Sequence, residues 1–315
     1  MKSTASLLVT VLAILMAACA GDGRAPATVA PSPTSSAFAA AEVGQYPEVH
    51  DPATGLTLYF GTPDLGIGRN RVAFAITTFE GFVRLPVVTV ETFRLPSDGT
   101  REGPVQTHTA RFFEFPLGAR GSYVTQFDID RAGRWAFRVR LPRPDGTVAA
   151  IEFDTPVPPV PVTRAVGTPA PPSRNRTVAD ATLEELTTGS EPDPSLYAQT
   201  IADAVASGRP TMIVFASPAF CTTPLCGPQV EVVSELRARY GDKANFIHVD
   251  IFDNPHEIKG DLTRAVRSPV VEEWGIVTDE WTFVIDRQGV ISARFESFAS
   301  FDELEPALKA ALTPG

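Results

Sequence analysis

The stretch from Pro156 to Pro172 constrains this chain most. It reads Val-Pro-Pro-Val-Pro-Val and then Pro-Ala-Pro-Pro, and offers too few backbone donors to lie inside a sheet or a helix. It therefore divides the sequence, and a proline-rich linker is expected over 156–193. The patterns on its two sides differ. Upstream, over 46–155, seven short alternating runs stand between turn signals such as Ser97-Asp98-Gly99 and Pro144-Asp145-Gly146: Leu56–Phe60, Arg71–Ile76, Val87–Phe93, Arg111–Phe115, Gly121–Phe127, Trp135–Leu141 and Val148–Phe153. This spacing predicts an all-β antiparallel sandwich. Downstream, over 194–315, helical and strand periods alternate. The expected order is helix Leu196–Ser207, strand Met212–Ala216, helix Gln229–Tyr240, strand Asn245–Ile251, helix Val270–Trp274, a hairpin of Trp281–Asp286 and Val290–Phe295, and helix Phe301–Leu312.

The first residues carry an address rather than a fold. A short basic start, Met1-Lys2, and an apolar run from Ala5 to Met16 read as a secretory signal over 1–18, too short to span a bilayer as a mature helix. The run closes on Leu15-Met16-Ala17-Ala18-Cys19, which resembles the bacterial lipobox. That resemblance implies a mature chain that begins at a lipidated Cys19, is exported, and is held at the cell membrane facing outside the cytoplasm. Residues 19–45, poor in aromatics and rich in small residues, are the expected tether. The net charge of −10 with no basic run excludes a nucleic-acid partner, and an acidic surface leaves membrane attachment to the acyl group.

With Cys19 assigned to lipid, two cysteines remain, Cys221 and Cys226, and outside the cytosol such a pair can persist as a disulfide. They sit where an apolar strand passes through Ser217-Pro218-Ala219-Phe220 into a helix. The segment order, the aromatic Phe220 before the first cysteine, Gly227-Pro228 beside the second and the run Val284-Ile-Asp-Arg-Gln-Gly289 together resemble the thioredoxin fold, in particular its exported, membrane-anchored members. The resemblance implies a C-terminal α/β thioredoxin-like domain with thiol–disulfide oxidoreductase activity, no cofactor, and protein or small-molecule thiols and disulfides as partners. It makes Cys221 the nucleophile, Cys226 the resolving thiol, and Phe220 and Trp281 the substrate-docking residues. A cysteine that opens a helix faces unpaired N–H groups and the positive end of the macrodipole, which favours thiolate, and Cys221 is expected there.

Three departures from that family stand in the sequence. Four residues separate the cysteines instead of two, Trp281 occupies the register of a cis-proline so that a trans peptide is expected, and the strand 211–216 lacks a buried acid, which leaves proton transfer to another group. Two other roles stay open for the pair: a structural staple in a non-catalytic binding module, and copper binding of the Sco type. The segment 277–281 holds no histidine for copper, His248 is expected in a sheet and His256 in a loop, and no metal ligand is assigned. In the first domain, Gly121-Ser-Tyr-Val and Ala132-Gly-Arg-Trp-Ala-Phe-Arg-Val resemble the end of immunoglobulin-like domains of the YtkA/FixH type. That resemblance implies an N-terminal immunoglobulin-like sandwich, for which a protein-contact or spacer role is expected.

Overall fold

The computed structural model describes residues 46–313 apart from Leu117 and Thr222; the expected signal at 1–18, Cys19 and the tether to residue 45 lie outside the described residues. Among the described residues no helix is long and apolar enough to cross a membrane. The N-terminal part holds nine strands: β1 (Glu48–Asp51), β2 (Leu56–Phe60), β3 (Gly68–Thr78), β4 (Gly81–Phe82), β5 (Val87–Leu95), β6 (Glu102–Glu114), β7 (Gly121–Ile129), β8 (Gly133–Pro142) and β9 (Val148–Val157). All seven runs expected upstream form strands; β1 and the two-residue β4 are too short to show a period. Every pairing is antiparallel, in the order β1-β2-β3-β7-β6-β5-β8-β9 with β4 on β3. Alternate residues enter one core, as Leu56, Leu58 and Phe60 do in β2. Phe60 of β2 and Phe153 of β9 meet with ring centroids 4.6 Å apart, so the two ends of the ordered sheet close over the same core.

The C-terminal part contains α1 (Leu183–Leu186), α2 (Ile201–Ala206), β10 (Thr211–Phe215), α3 (Cys226–Tyr240), β11 (Asn245–Val249), α4 (Pro255–Ile258), α5 (Pro269–Glu273), β12 (Trp281–Ile285), β13 (Ile291–Glu296) and α6 (Phe301–Leu312). Its sheet has the order β11-β10-β12-β13, with β10 parallel to β11 and antiparallel to β12. The two-residue period of the strands feeds two cores. Met212 and Val214 face α3 and α6 through Val233, Leu236, Leu304 and Leu308, while Ile213 and Phe215 face α2 and α5 through Ile201, Ala204, Val271 and Trp274. A central strand that hands the cysteine pair to a helix, flanked by one parallel and one antiparallel neighbour, follows the element order expected from the sequence. The expected helix Leu196–Ser207 is broken in two, a 3-10 turn at Pro194–Tyr197 and then α2. Thr200 caps α2 by accepting a hydrogen bond from the Asp203 amide, and so starts a new helix there.

The proline-rich segment expected as a semi-rigid spacer is bound along much of its length. Gly167 N donates to Ile291 O and Ala170 N to Gly289 O, so the strap adds to the edge of the β12–β13 hairpin. Further along, Trp274 Nε1 donates to Ser173 Oγ, which donates to Glu273 Oε2 at 2.5 Å. The prolines do remove donors, but the residues between them find acceptors on the neighbouring domain. Gly66 permits the close passage of the strap, because a Cβ there would lie 2.5 Å from Pro161 Cδ.

Two arginines fasten the halves together. Arg71 of β3 pairs with Glu303 of α6 (Nε–Oε1 2.9 Å) and donates to the carbonyls of Glu296 and Phe298 at 2.7 and 2.8 Å. Arg294 of β13 returns the contact to Asp64, whose carboxylate also accepts from the strap amides of Val162 and Thr163. Both side chains of the Arg71–Glu303 pair are buried, at 6% and 10% exposure. Removing one partner of such a pair leaves the other charge without compensation, at a cost of about 3 kcal/mol or more. Arg71→Met is therefore expected to lower the urea midpoint by that order, and the loss should shrink in the Arg71→Met/Glu303→Gln double variant.

Candidate functional site

The antiparallel register of β10 and β12 builds the site. Phe215 pairs with Trp281, so the residue after β10 and the residue before β12 face each other at the mouth of the sheet. From that mouth the chain runs through Ser217 and Pro218 to Cys221, and on the opposite side stands Glu280. A hydrogen-bond network holds the outgoing turn. The Ala219 amide donates to Thr188 Oγ1 (3.1 Å), Thr188 Oγ1 lies 3.1 Å from Ser217 Oγ, and both the amide and the hydroxyl of Thr188 donate to Asp250 at the end of β11. Burial raises the Asp250 carboxyl to about 6.

Cys221 and Cys226 form a disulfide with Cα atoms 6.1 Å apart. Cys226 is fully buried in the core beneath α3, and Cys221 is half-buried. The helix begins at Cys226 and not at Cys221, which corrects the expectation that the first cysteine opens it. Thr223, Pro224 and Leu225 lie ahead of the helix, so the positive end of the macrodipole is at Cys226, and Cys221 feels it from outside the helix. The loop also forms one wall of a largely apolar groove of about 280 Å³, to which Thr223, Pro224 and Leu225 contribute; Tyr59, Phe74, Phe82 and Phe115 of the β domain supply much of the rest.

Glu280 is the residue that sequence reasoning missed. It has no exposed surface, and its Oε2 lies 3.6 Å from Cys221 Sγ. Its Oε1 and the neighbouring Thr223 Oγ1 are buried without a hydrogen-bond partner. Burial, reinforced by the Asp279 carboxylate, pushes Glu280 up to about 8, so at neutral pH the group carries a proton beside the sulfurs. A second buried acid stands nearby in register, since Glu296 of β13 pairs with Trp281. Burial and Asp64 push Glu296 to about 8, while it accepts from the Asp64 amide and the Thr278 hydroxyl. The one available signal was positional: two adjacent acids, Asp279-Glu280, directly ahead of the wholly buried strand Trp281–Ile285.

The other expected residues fall as follows. Phe220 is half-buried and meets Phe252 edge-on at 6.3 Å, beside the disulfide. Trp281 is 1% exposed, stacks on Phe283, lies under the Arg294 guanidinium and donates its indole N–H to Thr278 Oγ1. Its ring belongs to the core, so it presents no surface to a substrate and the docking role expected for it does not hold. Among the described residues the Glu280–Trp281 bond is not cis. His248 is locked between Tyr197 Oη (2.6 Å) and the Ala216 carbonyl (3.0 Å), and burial lowers it to about 4, so it is neutral and already occupied. Among the described residues, the cluster able to hold a metal ion is Cys221, Cys226 and Glu280, with donor atoms within 4.8 Å of one another.

No protein-family model and no curated protein matches the sequence. Among solved structures, the chain is similar to a Chlorobium tepidum protein solved under the description thiol:disulfide interchange protein DsbE, at 16% identity over 47% of this chain and 99% of that one, TM-score 0.35. A Chlorobium tepidum TLS protein described as a thiol:disulfide interchange protein of the thioredoxin family aligns at 16% identity over 48% and 99% of the two chains, TM-score 0.34.

The two raised acids set a direction for stability against pH. Each has a folded pKa of about 8 against an ordinary 4.5, so the folded state holds the extra proton between those values. The stability this contributes is complete below about pH 4.5 and is lost as pH rises through about 8, at a slope of up to about 1.4 kcal/mol per pH unit per group. Urea unfolding from pH 5 to 9 is expected to show this decline, and Glu296→Gln should flatten it; an equally steep decline in the variant would remove Glu296 as a source.

Proposed function

We propose that this protein is an exported thiol–disulfide oxidoreductase, anchored to the membrane through lipid on Cys19, with Cys221 as nucleophile, Cys226 as resolving thiol and Glu280 as the group that moves the proton. One observation carries the reading: a half-buried sulfur bonded to a fully buried one, with a protonated carboxyl 3.6 Å from the first. A structural staple has no use for a buried acid aimed at its sulfur. An exchange reaction does, because each half-step creates or consumes a thiolate there.

In the reduced protein Cys221, having lost its proton to solvent, attacks a substrate disulfide as the thiolate. One substrate sulfur joins Cys221 and the other departs as a thiolate, which takes the proton held on Glu280. Cys226 then passes its own proton to the Glu280 carboxylate and attacks Cys221 Sγ. This closes the disulfide seen here and releases the second substrate thiolate, so two electrons have passed from the protein dithiol to the substrate disulfide. In reverse, an incoming thiolate attacks Cys221 Sγ and the sulfur of Cys226 leaves, collecting the proton held on Glu280. The N-terminal half, read as an immunoglobulin-like domain of the YtkA/FixH type, supports this chemistry by forming the groove beside Thr223–Leu225. A polypeptide thiol or disulfide with apolar neighbours fits that groove.

Insulin reduction by a dithiol, assayed across pH 6 to 9.5, tests the assignment. Cys221→Ser is expected to abolish activity. Glu280→Gln should fold and keep the disulfide but lose at least about tenfold in rate near pH 7, with the inflection near pH 8 removed. Turnover that survives Cys221→Ser would overturn the proposal.

A further inference from the structure

We infer that the reduced site also binds a borderline divalent cation, of which Zn²⁺ is the type, through Cys221 Sγ, Cys226 Sγ and Glu280, and that the disulfide closes this site. Two sulfurs and a carboxylate are the donor set zinc accepts, and the three donor atoms already lie within 4.8 Å of one another. A tetrahedral zinc with Zn–S of about 2.3 Å and Zn–O of about 2.1 Å requires sulfurs about 3.8 Å apart and each sulfur about 3.6 Å from the oxygen. Reduction frees the sulfurs to separate to that distance, and Cys221 Sγ already lies 3.6 Å from Glu280 Oε2.

A second observation points to the same ligand. Glu280 has no exposed surface, and its Oε1 has no partner at full hydrogen-bonding geometry; the Thr223 hydroxyl and Phe298 backbone beside the carboxyl offset only part of its burial. A carboxyl left that way has capacity for a ligand that the surrounding protein does not supply. Half-exposed Cys221 gives a route of entry, and water completes the fourth position. Loading replaces the protons of the two thiols by the ion, and no electron moves once the disulfide has been reduced by an external dithiol or phosphine. Cu(I) is the poorer match, because two thiolates satisfy it and a carboxylate oxygen adds little to a soft ion. Nor is His248 free to join, since both its ring nitrogens are engaged.

The test is competition for Zn²⁺ between a chromophoric chelator and the full-length protein, reduced by a phosphine or left oxidised, with proton release followed in weak buffer. The reduced protein is expected to take up one equivalent that the oxidised protein does not. Glu280→Gln, a near-isosteric change, should weaken that binding at least tenfold. Equal uptake by oxidised and reduced protein, no uptake by either, or unchanged affinity in Glu280→Gln would overturn the inference. Thiol–disulfide exchange is assayed separately with chelator present, so failure of metal binding leaves that reading to stand or fall by itself.

Discussion

The site depends on a register. Because Phe215 lies opposite Trp281, the last turn of chain before β12 is brought against the turn that carries Cys221, and a carboxyl from one arrives at a sulfur from the other. A slip of one residue would turn each side chain of β12 to the opposite core and carry Glu280 away from the cysteines. The alternation of Phe283 and Ile285 into one core and Val284 into the other holds that register, so the packing of the sheet fixes the chemistry at its end.

The β domain belongs to the same construction. Its Arg71 reaches the carbonyls of Glu296 and Phe298 and the carboxylate of Glu303, and thereby ties down the chain between β13 and α6. Asp64 answers from the other side by holding both Arg294 and the strap at Val162 and Thr163. These contacts act on the two acids in opposite senses. Asp64 of the β domain adds to the rise at Glu296, whereas Arg71 of the same domain works against the rise at Glu280, which burial and Asp279 produce.

The sequence disclosed the elements better than their contacts. The periods of Trp281–Ile285 and Phe301–Leu312 show their strand and helix directly, and the turn residues around 97–99 and 144–146 mark the hairpins. Proline content misled at 156–172, because a residue without an N–H is equally suited to a free spacer and to a strap whose remaining amides pair with a neighbour. The helix start was misplaced for a related reason. Thr223-Pro224 reads as an N-cap followed by a proline at the first helical position, yet the structure places the start two residues later, at Cys226. Glu280 was illegible because burial of a charged residue type is a tertiary fact. Little in the local sequence distinguishes it from an exposed acidic pair such as Glu272-Glu273 of α5.

Charge balance unites the two roles of the site. In the oxidised state the sulfurs are neutral, and a protonated Glu280 keeps the enclosed space uncharged, which is the inexpensive state in a low-dielectric interior. Reduction adds two electrons, and the site then has two ways to remain near neutrality: take protons or take a cation. Protons arrive through Glu280 and leave the thiols ready for exchange. A divalent ion displaces those protons and holds both sulfurs as thiolates, out of reach of a substrate disulfide. The same carboxyl serves both outcomes because its Oε2 stands 3.6 Å from Cys221 Sγ, so the pH and free metal around the domain set which form of the reduced site prevails.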